Sequence, residues 1–178
     1  MMQTANLERS ELSSLERLID ARIQESFRYC ALDNAIDVVV GSQVEGDYLE
    51  FGVATGRSFA RAYHEIQRRR AYHDVSTPIR YFAFDSFEGL PPSDEEAKPK
   101  QYRPGAYAVP EASFRANLTA AAVPLDDVVI VKRWYGELGA RDKAELGLTR
   151  AALVHIDCDL YVSARDVLRF VGDLLVDG

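Results

Sequence analysis

Apolar residues recur along this chain with two different periods, and each change of period marks a change of element. From Leu7 to about Val40, Leu12, Leu15, Ile19, Ile23 and Phe27 return at three- and four-residue steps, while Glu8, Glu11, Glu16, Arg17, Asp20 and Arg22 fill the other face. That spacing predicts helices with one apolar stripe, which docks against the domain edge or a second subunit, or closes over a ligand. Leu32 to Val40 continues as a second apolar helix before Gly41 and Gly46. Tyr48 to Val53 is then almost continuously apolar, broken by Glu50 and Gly52, as suits a strand covered on both faces.

The helical period returns from Ser58 to about Ala71, with Phe59, Ala62, Tyr63 and Ile66 on one face. Ile79–Phe84 predicts a second strand, Glu111–Ala122 a helix, Val128–Val131 a third strand, Ala151–Ile156 a fourth and Ser163–Leu175 a closing helix. Strands alternating with helices give an α/β fold with a parallel sheet and right-handed crossovers. The end of the second strand then lies beside the end of the first. Between them, Ser93–Pro110 is rich in charge and proline and predicts a mobile flap whose tyrosines and Arg103 cover a substrate.

Composition narrows the function. The chain has 178 residues, 47% hydrophobic and 28% charged, with a net charge of −7, which suits a globular domain and argues against a nucleic-acid partner. The one basic run, Arg68–Arg70, falls in the last turn of a helix, where it complements the dipole. Cys30 and Cys158 are far apart and form no metal-ligand spacing, so reduced thiols and a cytoplasmic setting are expected. Neither a signal peptide nor a membrane span is expected.

Candidate chemistry sits at the strand ends. Gly52, Ala54 and Gly56 let a ligand approach a turn closely, the following helix offers free N–H groups, and Glu50 is an acceptor for a cationic or hydroxyl-bearing ligand. A phosphate loop of the Walker type needs a lysine after Gly56, and Gly-x-Gly-x-x-Gly needs other glycine spacings, which disfavours a nicotinamide oxidoreductase. Asp85 is placed for ribose hydroxyls, or else caps its own turn. Trp134 and Tyr135 border an adenine ring or pack at the rim. Asp157 and Asp159 point to one side and either bind a hard cation such as Mg2+, share a proton, or include a cap for the next helix. His155, inside the fourth strand, reads as a hydrogen-bonded core histidine.

Taken together, Gly46-Asp47-Tyr48-Leu49-Glu50-Phe51-Gly52-Val53, Asp85-Ser86-Phe87-Glu88-Gly89-Leu90-Pro91 and Ile156-Asp157-Cys158-Asp159-Leu160-Tyr161-Val162-Ser163 resemble the macrocin O-methyltransferase family of class I methyltransferases. The resemblance runs from about Arg28 to the C-terminus. It implies a three-layer Rossmann-like sheet missing its last strands, with a helical segment over 1–45 and an S-adenosylmethionine-binding domain over 46–178. It further implies cofactor contacts from Glu50, Gly52, Val53, Ala54, Thr55, Gly56, Ser58, Asp85, Ser86 and Trp134. Asp157 matches the first carboxylate of the family's Mg2+ site and is the catalytic and metal-binding candidate, orienting a diol of a small acceptor, commonly a sugar.

Ala54 and Arg57 stand where relatives often carry glycine. The family pattern continues after the last helix with a Gly-Gly turn, a strand and an Asp-Asp pair, whereas this sequence ends at Val176-Asp177-Gly178. A C-terminally truncated methyltransferase with little turnover is therefore expected, and its uncovered sheet edge leads to an expectation of self-association or poor solubility, a native homo-oligomer through the N-terminal helices being the alternative. The competing expectations are a class I methyltransferase for another acceptor and a nucleoside-binding module without catalysis.

Overall fold

The computed structural model describes residues 14, 16–19, 23, 29–92 and 102–175. Helix α1 covers residues 29–41. It is followed by β1 (Asp47–Phe51), α2 (Arg57–Tyr72), β2 (Tyr81–Asp85), α3 (Glu111–Ala120), β3 (Val128–Lys132), α4 (Ala140–Leu146), β4 (Ala151–Ile156) and α5 (Tyr161–Val171). The four strands form one parallel sheet in the order β3-β2-β1-β4. The chain thus reverses direction of growth between β1 and β4, the place where open α/β sheets leave a crevice at their carboxyl ends.

Period-two alternation sorts the strand side chains onto two faces. Tyr48, Tyr81 and Ala83 join Leu32, Ile36 and Val40 of α1, Phe59, Ala62 and Ile66 of α2, and Phe114 and Leu118 of α3 in one core. Leu49, Phe51, Phe82 and Phe84 join Val167, Phe170 and Val171 of α5 in the other. Phe51 stacks on Phe84 at 4.4 Å between ring centres, and Phe170 meets both edge-on. The sheet is therefore the middle of three layers, as the alternation of strands and helices demands.

Several local expectations are corrected. Helix α4 was not anticipated: its seven residues are mostly polar, and Gly139 and Gly147 bound it. Helix α3 stops at Ala120 rather than Ala122, since Ala122 turns to positive φ. Helix α5 spans Tyr161–Val171 rather than Ser163–Leu175, with Leu160 as its N-cap and no side-chain cap, so neither Asp157 nor Asp159 caps it. The arginine run does more than complement a dipole. Arg69 is buried and pairs with Asp37 of α1 and Glu65, and Arg61 makes a two-pronged pair with Asp33 of α1 at 2.9 and 2.6 Å. These pairs fix α1 along α2. Of the N-terminal stripe, Ile19 and Ile23 are exposed, while Leu12, Leu15 and Phe27 lie outside the described residues, as does the flap from Ser93 to Gln101.

Candidate functional site

The turn after β1 is shaped by its neighbours. Phe84 O accepts from Gly52 N–H at 3.0 Å and Phe51 O accepts from Asp157 N–H at 2.9 Å, so the ends of β2, β1 and β4 are laced side by side. Gly52 has φ +91°, and a Cβ there would lie 2.3 Å from Asp157 O. Gly56 has φ +81° and packs against the Phe114 ring, where a Cβ would sit at 3.0 Å. Both glycines are thus required by the chain's own packing, whatever ligand the turn carries.

Glu50 is placed differently from its sequence-based expectation. It is fully buried beneath the turn, accepts hydrogen bonds from Tyr48 Oη and from Ser58 Oγ (2.6 Å), and lines neither of the cavities described below. Its carboxylate also lies 3.4 Å from His155 Nδ1, at ion-pair rather than hydrogen-bond geometry. The register explains this meeting, because Glu50 and His155 are paired neighbours on β1 and β4. The Glu50 carboxylate holds the His155 pKa above its ordinary value, against the opposing effect of burial. A raised pKa means that the folded chain favours protonated His155. Its stabilising contribution is complete below the unfolded value of about 6.5 and is lost as pH rises through the folded value. The melting-temperature gap between the wild-type chain and His155→Asn is therefore expected to be widest near about pH 6 and to narrow toward about pH 9. A gap that does not change with pH would refute the pairing.

Asp85, at the end of β2, reaches the turn across the crevice. Its Oδ2 accepts from Ala54 N–H at 3.1 Å and its Oδ1 from Phe87 N–H at 2.8 Å, so it closes its own turn and holds the β1 turn as well. Around it lies a cavity of about 380 Å³ whose lining includes Gly52, Ala54, Ser86, Trp134, Asp157 and Asp159, together with Tyr107, Val162 and Asp166. A second cavity, of about 600 Å³, lies on the α1 side of the turn against Tyr29, Leu32, Ala35, Thr55, Ser58 and His155. Gly52, Ala54 and Asp157 line both, so the two meet there. Val53 lines the second cavity but is itself core, and Gly56 lines neither.

The first cavity is electrostatically one-sided. Asp85, Asp157, Asp159 and Asp166 line it, against Arg133, which is paired with Asp142 at 3.4 Å. Asp166 is neutralised by Arg165 at 2.9 Å. Burial and the adjacent Asp157 raise the Asp159 pKa, and burial with Asp157 pushes the Cys158 thiol up to about 12, so Cys158 is no nucleophile at neutral pH. Burial likewise raises Tyr135, whose hydroxyl donates to Phe84 O at 3.3 Å. Among the described residues no three His, Cys, Asp or Glu side chains converge on a metal position. The expectation of Mg2+ on Asp157 is therefore not supported by the described residues.

The sequence did not point to His155, Tyr29 or Asp166 as cavity residues. The only signal available for His155 was its register two residues before Asp157, and that register was equally compatible with a core position. No helix among the described residues is long and apolar enough to cross a membrane.

No curated protein matches this sequence. Among solved structures, the O-methyltransferase NovP is similar at 25% identity and a TM-score of 0.66, over 83% of this chain and 60% of that one. The calicheamicin methyltransferase CalS11 is similar at 25% identity and a TM-score of 0.64, over 84% and 62%. Its apo form, described as a TDP-rhamnose 3'-O-methyltransferase, gives 25% identity and a TM-score of 0.56, over 85% and 60%. The chain thus spans about three-fifths of the length of these proteins. Residues 22–178 match the macrocin-O-methyltransferase (TylF) family model, and with the parallel sheet and its laced strand ends this shows that the chain belongs to that family of methyltransferases.

Proposed function

We propose that this chain carries the S-adenosylmethionine-binding part of an O-methyltransferase whose acceptor is a small hydroxylated molecule, such as a sugar of a natural product. The observation that carries this reading is the carboxylate-lined cavity at the joined ends of β1, β2 and β4, where Asp85 meets the turn from Gly52 to Gly56. A sulfonium cation suits such surroundings, whereas the diphosphate of a dinucleotide in the first cavity would face Asp85, Asp157 and Asp159, and the arginine among the described lining residues there, Arg133, is paired with Asp142. The sugar acceptor is suggested by the relative described as acting on TDP-rhamnose.

The residues present fit the cofactor. Asp85 would hold the ribose hydroxyls, Ser86 and Trp134 would border the base, and Ala54, Thr55 and Ser58 would receive the methionine part where the two cavities meet. Bound there, S-adenosylmethionine supplies an electrophilic methyl group. The chain's own part is alignment: Asp157 lines both cavities and would accept a hydrogen bond from the acceptor hydroxyl, turning its oxygen toward the junction. Glu50 acts from behind, through Ser58 and His155, on the shape of the turn.

Trp134 is the single tryptophan in the sequence and lines the first cavity, so it reports on occupancy. Titration with S-adenosylhomocysteine is expected to release or absorb heat and to shift Trp134 emission with the same midpoint, while reduced nicotinamide dinucleotide produces neither. Binding of the dinucleotide in place of S-adenosylhomocysteine would sink the proposal.

A further inference from the structure

The segment 102–110 is anchored to the loop after β2 by its backbone. Leu90 N–H donates to Ala106 O and Gly105 N–H donates to Leu90 O, both at 2.9 Å, and Ala106 N–H closes a turn onto Arg103 O at 3.0 Å. Gly89 makes the approach feasible: its φ is +82°, and a Cβ would lie 2.4 Å from Ala106 O. The next residue, Tyr107, is thereby set at the wall of the first cavity.

Tyr107 is held in an unfavourable conformation. Its φ is +61°, in the left-handed region that a bulky side chain rarely adopts. Phe87 has a comparable φ of +57°, but its ring is buried in the core, 5.7 Å from the Phe114 ring, so burial offsets the strain. Among the described residues no such compensation exists at Tyr107. Its side chain is 57% exposed, and among the described residues it takes part in no hydrogen bond, ion pair or ring contact. A glycine would meet the backbone requirement without strain, as Gly105 does two residues earlier at φ +79°. A strained aromatic ring on the wall of a cavity, without a partner among the described residues, is placed for a ligand.

We infer that Tyr107 is the aromatic cap of the first cavity, laying its ring on the heteroaromatic base of the nucleoside bound there. The inference rests on the cofactor reading above and adds to it a residue from outside the strand ends. Trp134 lines the same cavity, so the base would lie against aromatic surface contributed by two separate segments. The contribution is from the ring face, not from the hydroxyl.

The test uses the full chain, wild-type and with Tyr107→Gly or Tyr107→Phe, titrated with S-adenosylhomocysteine by calorimetry, with the ligand-free melting temperature of each recorded. Tyr107→Phe is expected to bind within about twofold of wild type and Tyr107→Gly about tenfold more weakly. The ligand-free Tyr107→Gly chain should melt at the same temperature or higher, because relief of the left-handed strain opposes the extra freedom of glycine in the unfolded chain. Weaker binding without loss of stability is a pattern that a merely structural residue does not produce. Undiminished affinity in Tyr107→Gly, or affinity lost together with melting temperature, overturns the inference alone. A wild-type chain that fails to bind overturns the cofactor reading and this inference with it.

Discussion

Replacing Gly52 by alanine is expected to lower the stability of the chain by on the order of 3–5 kcal/mol. Two effects add. The backbone at φ +91° lies outside the conformations an L-residue readily adopts, and the new Cβ would be driven to 2.3 Å from Asp157 O. That oxygen belongs to a main chain tied to β1 by the hydrogen bond from Asp157 N–H to Phe51 O, so it cannot withdraw without opening the β1–β4 contact. Thermal unfolding should show a melting temperature lower by about 10 °C or more, using the usual few degrees per kcal/mol for a domain of this size. A Gly52→Ala chain as stable as wild type would mean that the strand ends are not held as described. The functional consequence follows directly, because Asp157 occupies the junction of the two cavities and would be pushed from it.

The second large effect is expected at Asp85. Asp85→Ala should weaken S-adenosylhomocysteine binding by about 30- to 100-fold, the loss of hydrogen bonds to a charged acceptor together with a loosened turn. Both carboxylate oxygens are already engaged, one by Ala54 N–H and one by Phe87 N–H, so the side chain shapes the cradle before any ligand arrives. Asp85→Asn separates the two contributions. Its carbonyl oxygen keeps the bond to Phe87 N–H, while the charge and the second acceptor are gone, and an intermediate loss of about tenfold is expected. Calorimetry on all three chains, each checked by circular dichroism, measures this. Equal affinity in wild type and Asp85→Ala would remove Asp85 from the nucleoside site.

These two positions show where sequence reasoning reached. Asp85 was legible because only a strand, a helix and a second strand separate it from the β1 turn, and a right-handed crossover leaves such strand ends adjacent. Asp157 was legible as a carboxylate at the end of the fourth strand and through its match to the family motif, but its place beside β1 came from the strand pairing of the structure. Gly52 was recognised as a position needing glycine, but the reason assigned was room for a ligand. The actual neighbour is Asp157 O, from a strand far away in sequence. Glu50 was read as a group facing the ligand, whereas Tyr48 Oη and Ser58 Oγ donate to it inside the core.

The periodicity of apolar residues, the turn residues and the order of strands and helices by themselves determined the parallel α/β sheet and the adjacency of the first two strand ends, while three motif segments, Gly46–Val53, Asp85–Pro91 and Ile156–Ser163, carried the resemblance to the family; the place of β4 beside β1 came from the structure. The sheet and that adjacency depend on neighbours near in sequence and on the handedness of crossovers, which every chain of L-residues shares. Only the tertiary structure decided which way the polar side chains face: Glu50 inward to His155, Asp85 back to Ala54, Asp157 to two cavities, Tyr107 onto a wall built by other segments. The physical reason is that a hydrogen bond or a ring contact is made with whatever the packing of distant elements brings within a few ångströms, and no local pattern records that distance.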